Sequence, residues 1–292
     1  MPDLTAAALE AATGLRFRAT PRALGAGGGF ANCQRWESDR GPVFVKVAPV
    51  SRAAMLEAEA DGLRELAGAN AVRVPAVLGV GTDGARAFLA IEWIEFRTAT
   101  PRTEAMLGEQ LARLHRATAA GFGWHRDNTI GATPQLNPWT ADWPGFFARH
   151  RLGVQLDLAE RSGHGGRWLD HGRRLCQALE ALFDGHRPQP SLLHGDLWGG
   201  NRAADESGAP VLFDPATYYG DREADLAMTH LFGGFGRAFY DAYESAWPLD
   251  PGADARRDLY NLYHVLNHLN LFGGGYRAQA EAMIGRLLAD AG

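Results

Sequence analysis

Asp196, Asn201 and Asp214 are the residues in this chain most suited to chemistry. The first two stand five residues apart in L-L-H-G-D-L-W-G-G-N at 192–201, and Asp214 follows in F-D-P directly after Val211-Leu212-Phe213. Phosphoryl transfer calls for this set. One carboxylate orients the acceptor hydroxyl and takes its proton, an amide five residues later holds Mg²⁺, and a second carboxylate binds metal from the next strand. A surface turn rich in Asp, Asn and Gly is the plain alternative. Both aspartates border apolar segments, which fits a cleft wall better.

The remaining parts lie upstream, in order. Of 29 Lys plus Arg, one is a lysine, Lys46, and 28 are arginines (29 − 1). Coding bias explains an excess of arginine, but Lys46 sits in V-F-V-K-V, where a compact ammonium and a planar guanidinium are not interchangeable. Before it, Gly25 to Phe30 is a glycine-rich turn whose Gly27, Gly28 and Gly29 let backbone N–H groups approach phosphate. A dinucleotide-binding loop leads into a helix, whereas this one leads into Cys33-Gln34-Arg35-Trp36-Glu37, a turn at 39–41 and the strand Val43 to Val47. Strand, glycine loop, strand, turn and lysine strand is the order found in kinases. It assigns Lys46 to the α/β-phosphates of ATP.

The elements that position these groups follow from periodicity. Ser51 to Ala67 reads as a helix closed by Gly68, with Glu57 and Glu59 as the candidate partners of Lys46 and Glu59 preferred. Val77 to Val80 and Ala87 to Ile94 read as strands, the second entering a hinge where the Glu92 carbonyl and Ile94 amide are candidates to read adenine. From Thr103 onward the pattern is helical, interrupted by a polar and aromatic loop over 121–139. Asp142 can cap a helix running to about Glu160. The expected fold is α+β and bilobal, protein-kinase-like. Residues 1–97 form a small ATP-binding lobe with an antiparallel sheet plus a helix, and residues 98–292 a larger, mainly helical lobe for catalysis and acceptor binding.

Composition narrows the function class. Hydrophobic residues are 46%, charged residues 22% and the net charge −5, without an arginine-rich run, so a nucleic-acid partner is not expected. No segment approaches the ~20 apolar residues that span a bilayer, and the first residues lack a signal-peptide pattern. Cys33 and Cys176 form neither a disulfide framework nor a zinc pattern. A cytoplasmic protein without a membrane partner is the expectation.

Other residues receive structural readings. His264 and His268 have metal-ligand spacing, but the glutamate of H-E-x-x-H is absent and no third ligand presents itself. Asp225, in G-D-R-E-A-D, is expected to brace the metal-binding segment or cap backbone. Gly195 stands where protein kinases carry the arginine of H-R-D, and only six residues separate Asp214 from Asp221. A long regulatory loop is therefore absent, which suits a small acceptor. Trp198 and the segment from Trp139 to Phe147 are candidates to line that acceptor's site, and core packing explains them equally well.

Taken together, H-G-D-L-W-G-G-N at 194–201, G-P-V-F-V-K-V at 41–47, Q-L-N-P-W-T-A-D-W-P-G-F-F-A-R-H-R-L at 135–152, F-D-P-A-T-Y-Y-G-D-R-E at 213–223, L-F-G-G-F at 231–235 and Y-N-L-Y-H-V-L-N-H at 260–268 resemble the fructosamine-3-kinase, or ketosamine-3-kinase, family. That family is related to aminoglycoside and choline kinases. The resemblance implies Asp196 as catalytic base, Asn201 and Asp214 as Mg²⁺ ligands, and Lys46 with Glu59 as the ion pair anchoring ATP. It also implies transfer of the γ-phosphate to O3 of a small-molecule ketosamine or glycated amine, whose 3-phosphate then eliminates to free the amine. Cys33 lies beyond the glycine loop, so the redox role linked to a loop cysteine in some members does not carry over. Two rivals remain, a kinase for an aminoglycoside or choline-like alcohol and a catalytically dead nucleotide-binding scaffold.

Overall fold

The computed structural model describes residues 4–18, 21–27 and 31–291. Its N-terminal lobe is an antiparallel sheet of β1 (Arg22–Gly27), β2 (Ala31–Ser38), β3 (Gly41–Pro49), β4 (Val77–Asp83) and β5 (Arg86–Glu92), ordered β1-β2-β3-β5-β4. Alternation along a strand sends neighbouring side chains to opposite faces. Val43, Val45 and Val47 of β3 therefore join Trp36, Phe88 and Ala90 beneath α1 (Ala6–Thr13). Lys46 points the other way, in register with Cys33 of β2 and Leu89 of β5. That second face is covered by α2 (Ala53–Gly68), whose Leu56, Leu63 and Leu66 are fully buried with Leu89 and Ile91.

The C-terminal lobe begins with α3 (Pro101–His115), opened by a capping box between Thr100 and Thr103. The hairpin β6 (Asn128–Ile130) and β7 (Thr133–Gln135) follows, within the stretch expected to be loop. Asp142 caps α4 (Trp143–Phe147) as expected, but the helix does not run unbroken to Glu160. A π-helical turn, Ala148–Gly153, separates it from α5 (Val154–Arg161), and the buried Arg151 guanidinium lies within that turn. Next come α6 (Arg167–Ala178), β8 (Ser191–Leu193), β9 (Arg202–Ala204), β10 (Pro210–Leu212) and β11 (Tyr218–Gly220). Four helices close the chain: α7 (Glu223–Leu231), α8 (Arg237–Ala246), α9 (Ala253–Phe272) and α10 (Arg277–Asp290). No helix among the described residues is long and apolar enough to cross a membrane.

The lobes are joined by more than the chain. Leu56, Leu63 and Leu66 share one apolar cluster with Leu107, Leu111, Leu192 and Leu212 from the other lobe. Around it, Arg126 pairs with Asp61 at 2.5 Å and the Tyr219 hydroxyl donates to Glu65 at 2.6 Å. Arg73 binds Glu92 at 2.7 Å and also Asp205. Gly62 allows a close approach as well, since a Cβ there would lie 2.9 Å from Thr217 Oγ1. Helix α2 is thereby seated on the strip that follows Asp214, and so fixes the glutamate facing Lys46.

Candidate active site

β8 is short because its chain must leave the sheet at His194. Asp225, one turn into α7, accepts the backbone N–H groups of His194 at 2.7 Å and Gly195 at 2.8 Å. It thus satisfies two donors that would otherwise be orphaned in the interior. Burial alone would raise its pKa, but the His115 side chain and these N–H groups hold the carboxyl below its ordinary value. Gly195 has φ +83°, and a Cβ there would collide with the Ala216 carbonyl oxygen. Glycine stands there because no other side chain fits beside that backbone.

His194 links the two aspartates. Its Nε2 donates to the Phe213 carbonyl at 3.0 Å and its Nδ1 accepts from the Asp196 N–H at 3.3 Å. Burial lowers its pKa, which suits this neutral tautomer. Asp196 lies just past it with its pKa pushed up to about 7, by burial first and then by the charges of Asp214 and Asp225, against the Asn201 hydrogen bond. Asn201 Nδ2 donates to the Asp196 carboxylate at 3.0 Å and to its carbonyl at 2.8 Å. Asp214 has φ +57°, one of two positive values among the described non-glycine residues. Pro215 after it disfavours the right-handed helical region, and aspartate tolerates the left-handed one.

Lys46 Nζ completes the cluster, 2.7 Å from Glu59 and 2.6 Å from Asp214. Burial would depress the ammonium, but the two carboxylates drive its pKa well above the ordinary value. Glu57 instead faces Arg126, at 3.5 Å. Asp196, Asn201, Asp214, Lys46 and Glu59 all line one cavity of about 480 Å³ between the lobes. Glu92 and Ile94 do not line it, and the Glu92 carboxylate is engaged with Arg73. Gly27 ends β1 opposite Ala31, while Gly28 and Gly29 lie outside the described residues. Asn201 and Asp214 offer the cavity an amide and a carboxylate oxygen, hard ligands of the kind that suit Mg²⁺. Asn201 and Asp214 therefore fit the ion.

Trp198 also lines the cavity and is 38% exposed, so core packing does not account for it. Trp143, Phe146 and Phe147 differ, being buried within the C-terminal core and absent from the cavity wall. His264 and His268 line the cavity on one face of α9 with Asn267 and Leu271. A His/acid cluster does form elsewhere, from His186, Asp221 and Glu223. Both His186 nitrogens there face carboxylates, Asp250 at 2.7 Å and Asp221 at 2.8 Å. The sequence reading missed His194 as a link and α9 as a cavity wall. The recurrence of His264, Asn267, His268 and Leu271 at helical spacing was the available signal for the latter.

Known proteins resemble this chain in sequence and in fold. The sequence profile described as fructosamine kinase matches residues 1–290. A probable ketoamine kinase of Synechocystis sp. is 49% identical over 84% of this chain and 82% of its own. A chloroplastic protein-ribulosamine 3-kinase of Oryza sativa subsp. indica is 45% identical over 88% of this chain and 76% of its own. Among solved structures, a protein from Thermobifida fusca assigned as a fructosamine-3-kinase superposes with TM-score 0.88 at 34% identity, covering 97% of this chain and 98% of that one. A thermostable mutant of aminoglycoside phosphotransferase APH(4)-Ia superposes with TM-score 0.59 at 16% identity, covering 94% of this chain and 94% of the other, a likeness of fold alone.

Proposed function

The chain belongs to the fructosamine kinase family, and on that premise we propose that it transfers the γ-phosphate of ATP to O3 of a ketosamine of the fructosamine or ribulosamine type. The observation that carries this reading is the convergence of Lys46, Asp196, Asn201 and Asp214 on one cavity. Lys46, held by Glu59, faces the α/β-phosphates and offsets their charge. The Glu92 carbonyl and Ile94 amide, at and just past the end of β5 and outside the cavity's lining, are assigned to the adenine edge, and the glycine-rich stretch that begins at the end of β1 with Gly27 is assigned to the phosphates. Mg²⁺ held by Asn201 and Asp214 would neutralise charge on the phosphate oxygens.

Asp196 orients the C3 hydroxyl and accepts its proton as the new O–P bond forms and the bond from the γ-phosphorus to the ADP oxygen breaks. Because Asn201 pins the Asp196 side chain and His194 its backbone, the carboxylate is fixed before the acceptor arrives. Trp198, two residues on, forms a wall for the sugar. The 3-phosphoketosamine then eliminates phosphate, and water hydrolyses the resulting imine to the free amine and a deoxy-dicarbonyl sugar, so the consequence is removal of a sugar adduct.

The rival acceptors differ in charge. Among the described residues lining the cavity, the carboxylates are Glu59, Asp196 and Asp214, and two of these face Lys46. A polycationic aminoglycoside finds little to bind there. Purified protein given Mg-ATP and a panel of ribulosamines, fructosamines, kanamycin-like compounds and choline tests the reading. The ketosamines should react fastest, phosphorus–proton NMR correlation should place the phosphate on O3, and the product should decay to free amine on warming. A stable product on another hydroxyl, or preference for a polycation, would refute it.

A further inference from the structure

A row of rings leads away from the catalytic loop. Trp198, two residues past Asp196, meets Phe232 edge-on at 6.2 Å between centroids. Phe232 meets His268 at 4.7 Å, and His268 meets Phe272 at 5.4 Å and Tyr276 at 5.3 Å. All five side chains line the cavity that holds Asp196. The row ends at the corner between α9 and α10, where Phe272 is 64% exposed. A phenylalanine so exposed at the mouth of a cavity adds nothing to the core, and its ring is available to a ligand.

The charge on this wall is as informative as its shape. Among the described lining residues, the permanent cation is Lys46, and two carboxylates already hold it. His264 and His268 are both kept neutral, His264 by burial that pushes its pKa down to about 3. His268 is also fixed in orientation, since its Nδ1 donates to the His264 carbonyl at 2.8 Å. The wall is therefore apolar, aromatic and uncharged. A ketosamine joins a sugar to a secondary amine that is cationic at neutral pH, and ring faces attract one such cation without demanding a carboxylate.

Resting on the kinase reading above, we propose that Phe232, His268, Phe272 and Tyr276 form the subsite for the substituent on the acceptor's amine. The subsite takes an apolar stem carrying one cationic nitrogen, as in a glycated lysine side chain. The sugar end is set by Asp196, because its hydroxyl must reach that carboxylate. The row of rings offers an apolar path for the stem, ending at the exposed face of Phe272. The remainder of the carrier, a peptide included, projects into solvent there.

The test uses two acceptors with the same sugar, the ribulosamines of methylamine and of the Nε atom of Nα-acetyl-lysine, with the full chain and saturating Mg-ATP. Wild-type protein should prefer the lysine derivative in kcat/KM. Phe272→Ala should lower that preference roughly tenfold, through KM, as expected for lost apolar contact with a substrate stem. Phe272→Leu, which keeps an apolar surface, should recover part of it. An unchanged preference in Phe272→Ala, or an equal loss in kcat for both acceptors, would overturn the subsite. Wild-type protein that phosphorylates neither acceptor would overturn the kinase reading and the subsite with it, a result distinct from a kinase indifferent to the stem.

Discussion

Lys46 donates to Asp214 across 2.6 Å, while Glu59 holds the same ammonium from the other side at 2.7 Å. A point charge fits between two carboxylates at these distances, and a planar guanidinium does not. Lys46→Arg should therefore lower kcat/KM by about 10²-fold or more although the charge is kept. Because the sequence has no other lysine, an amine-reactive ATP analogue should label Lys46 and, at most, the N-terminal amine. Mass mapping after labelling with excess Mg-ATP should show Lys46 protected. Labelling at full extent would remove it from the phosphate site.

Asp196→Asn keeps the side chain's size and loses the proton acceptor. Turnover should fall by about 10²–10⁴-fold while Mg-ATP affinity stays near its wild-type value. Steady-state kinetics and equilibrium titration with nucleotide measure the two separately. Near-normal turnover would exclude Asp196 as the base.

Much of this cluster was legible because its chemistry is carried by residue types that sit close in sequence. Asp196 and Asn201 lie on one loop, and Asp214 follows a short strand pair. Glu59 is the preferred partner of Lys46 on sequence, although Glu57 lies on the same helix, α2. Its register against the sheet turns Glu59 to Lys46 and Glu57 to Arg126. The β6–β7 hairpin, β8 and β11 went unread because strands of three residues are too short to show a period. The segment Trp139 to Phe147 could equally have been acceptor wall or core; burial of Trp143, Phe146 and Phe147 decides for core there, whereas Trp139 is 50% exposed. The ring row was invisible because Trp198, Phe232, His268 and Tyr276 come from separate segments that only the fold brings together.

Asp225 contacts neither phosphate nor acceptor in the proposed reaction, yet it holds the catalytic loop's backbone. Asp225→Ala leaves the N–H groups of His194 and Gly195, and the His115 imidazole, without their acceptor. The fold should lose about 3 kcal/mol, and kcat should fall as Asp196 loses its fixed position. If the two act as one unit, Asp225→Ala combined with Asp196→Asn should cost little more turnover than Asp196→Asn alone. Fully multiplicative losses would show that Asp225 stabilises the fold without positioning the base.

His186 contributes one part of the pH dependence of stability. It is 4% exposed, and Asp221, Glu223 and Asp250 face it, with Tyr260 and Arg256 bound to the first two. Burial would lower its pKa, but the hydrogen bond and charge of Asp221, with Glu223 and Asp250, raise it above 6.5. A raised folded-state pKa means that the folded protein binds the proton more tightly than the unfolded chain. The stabilisation is thus fully present below about 6.5 and is lost as pH rises through the folded value. Asp221 has the opposite dependence, since its folded pKa is held low by His186 and Tyr260 against the effect of burial. Its contribution is lost only as pH falls below the ordinary carboxylate range. His186→Ala should therefore cost the most, about 3 kcal/mol, between roughly pH 4 and 6.5, because it leaves Asp221 buried without its cation. Urea-unfolding midpoints of wild type and variant should converge as pH is raised through the alkaline side of that window. A gap between them that stays constant with pH would mean that His186 contributes packing and no charge.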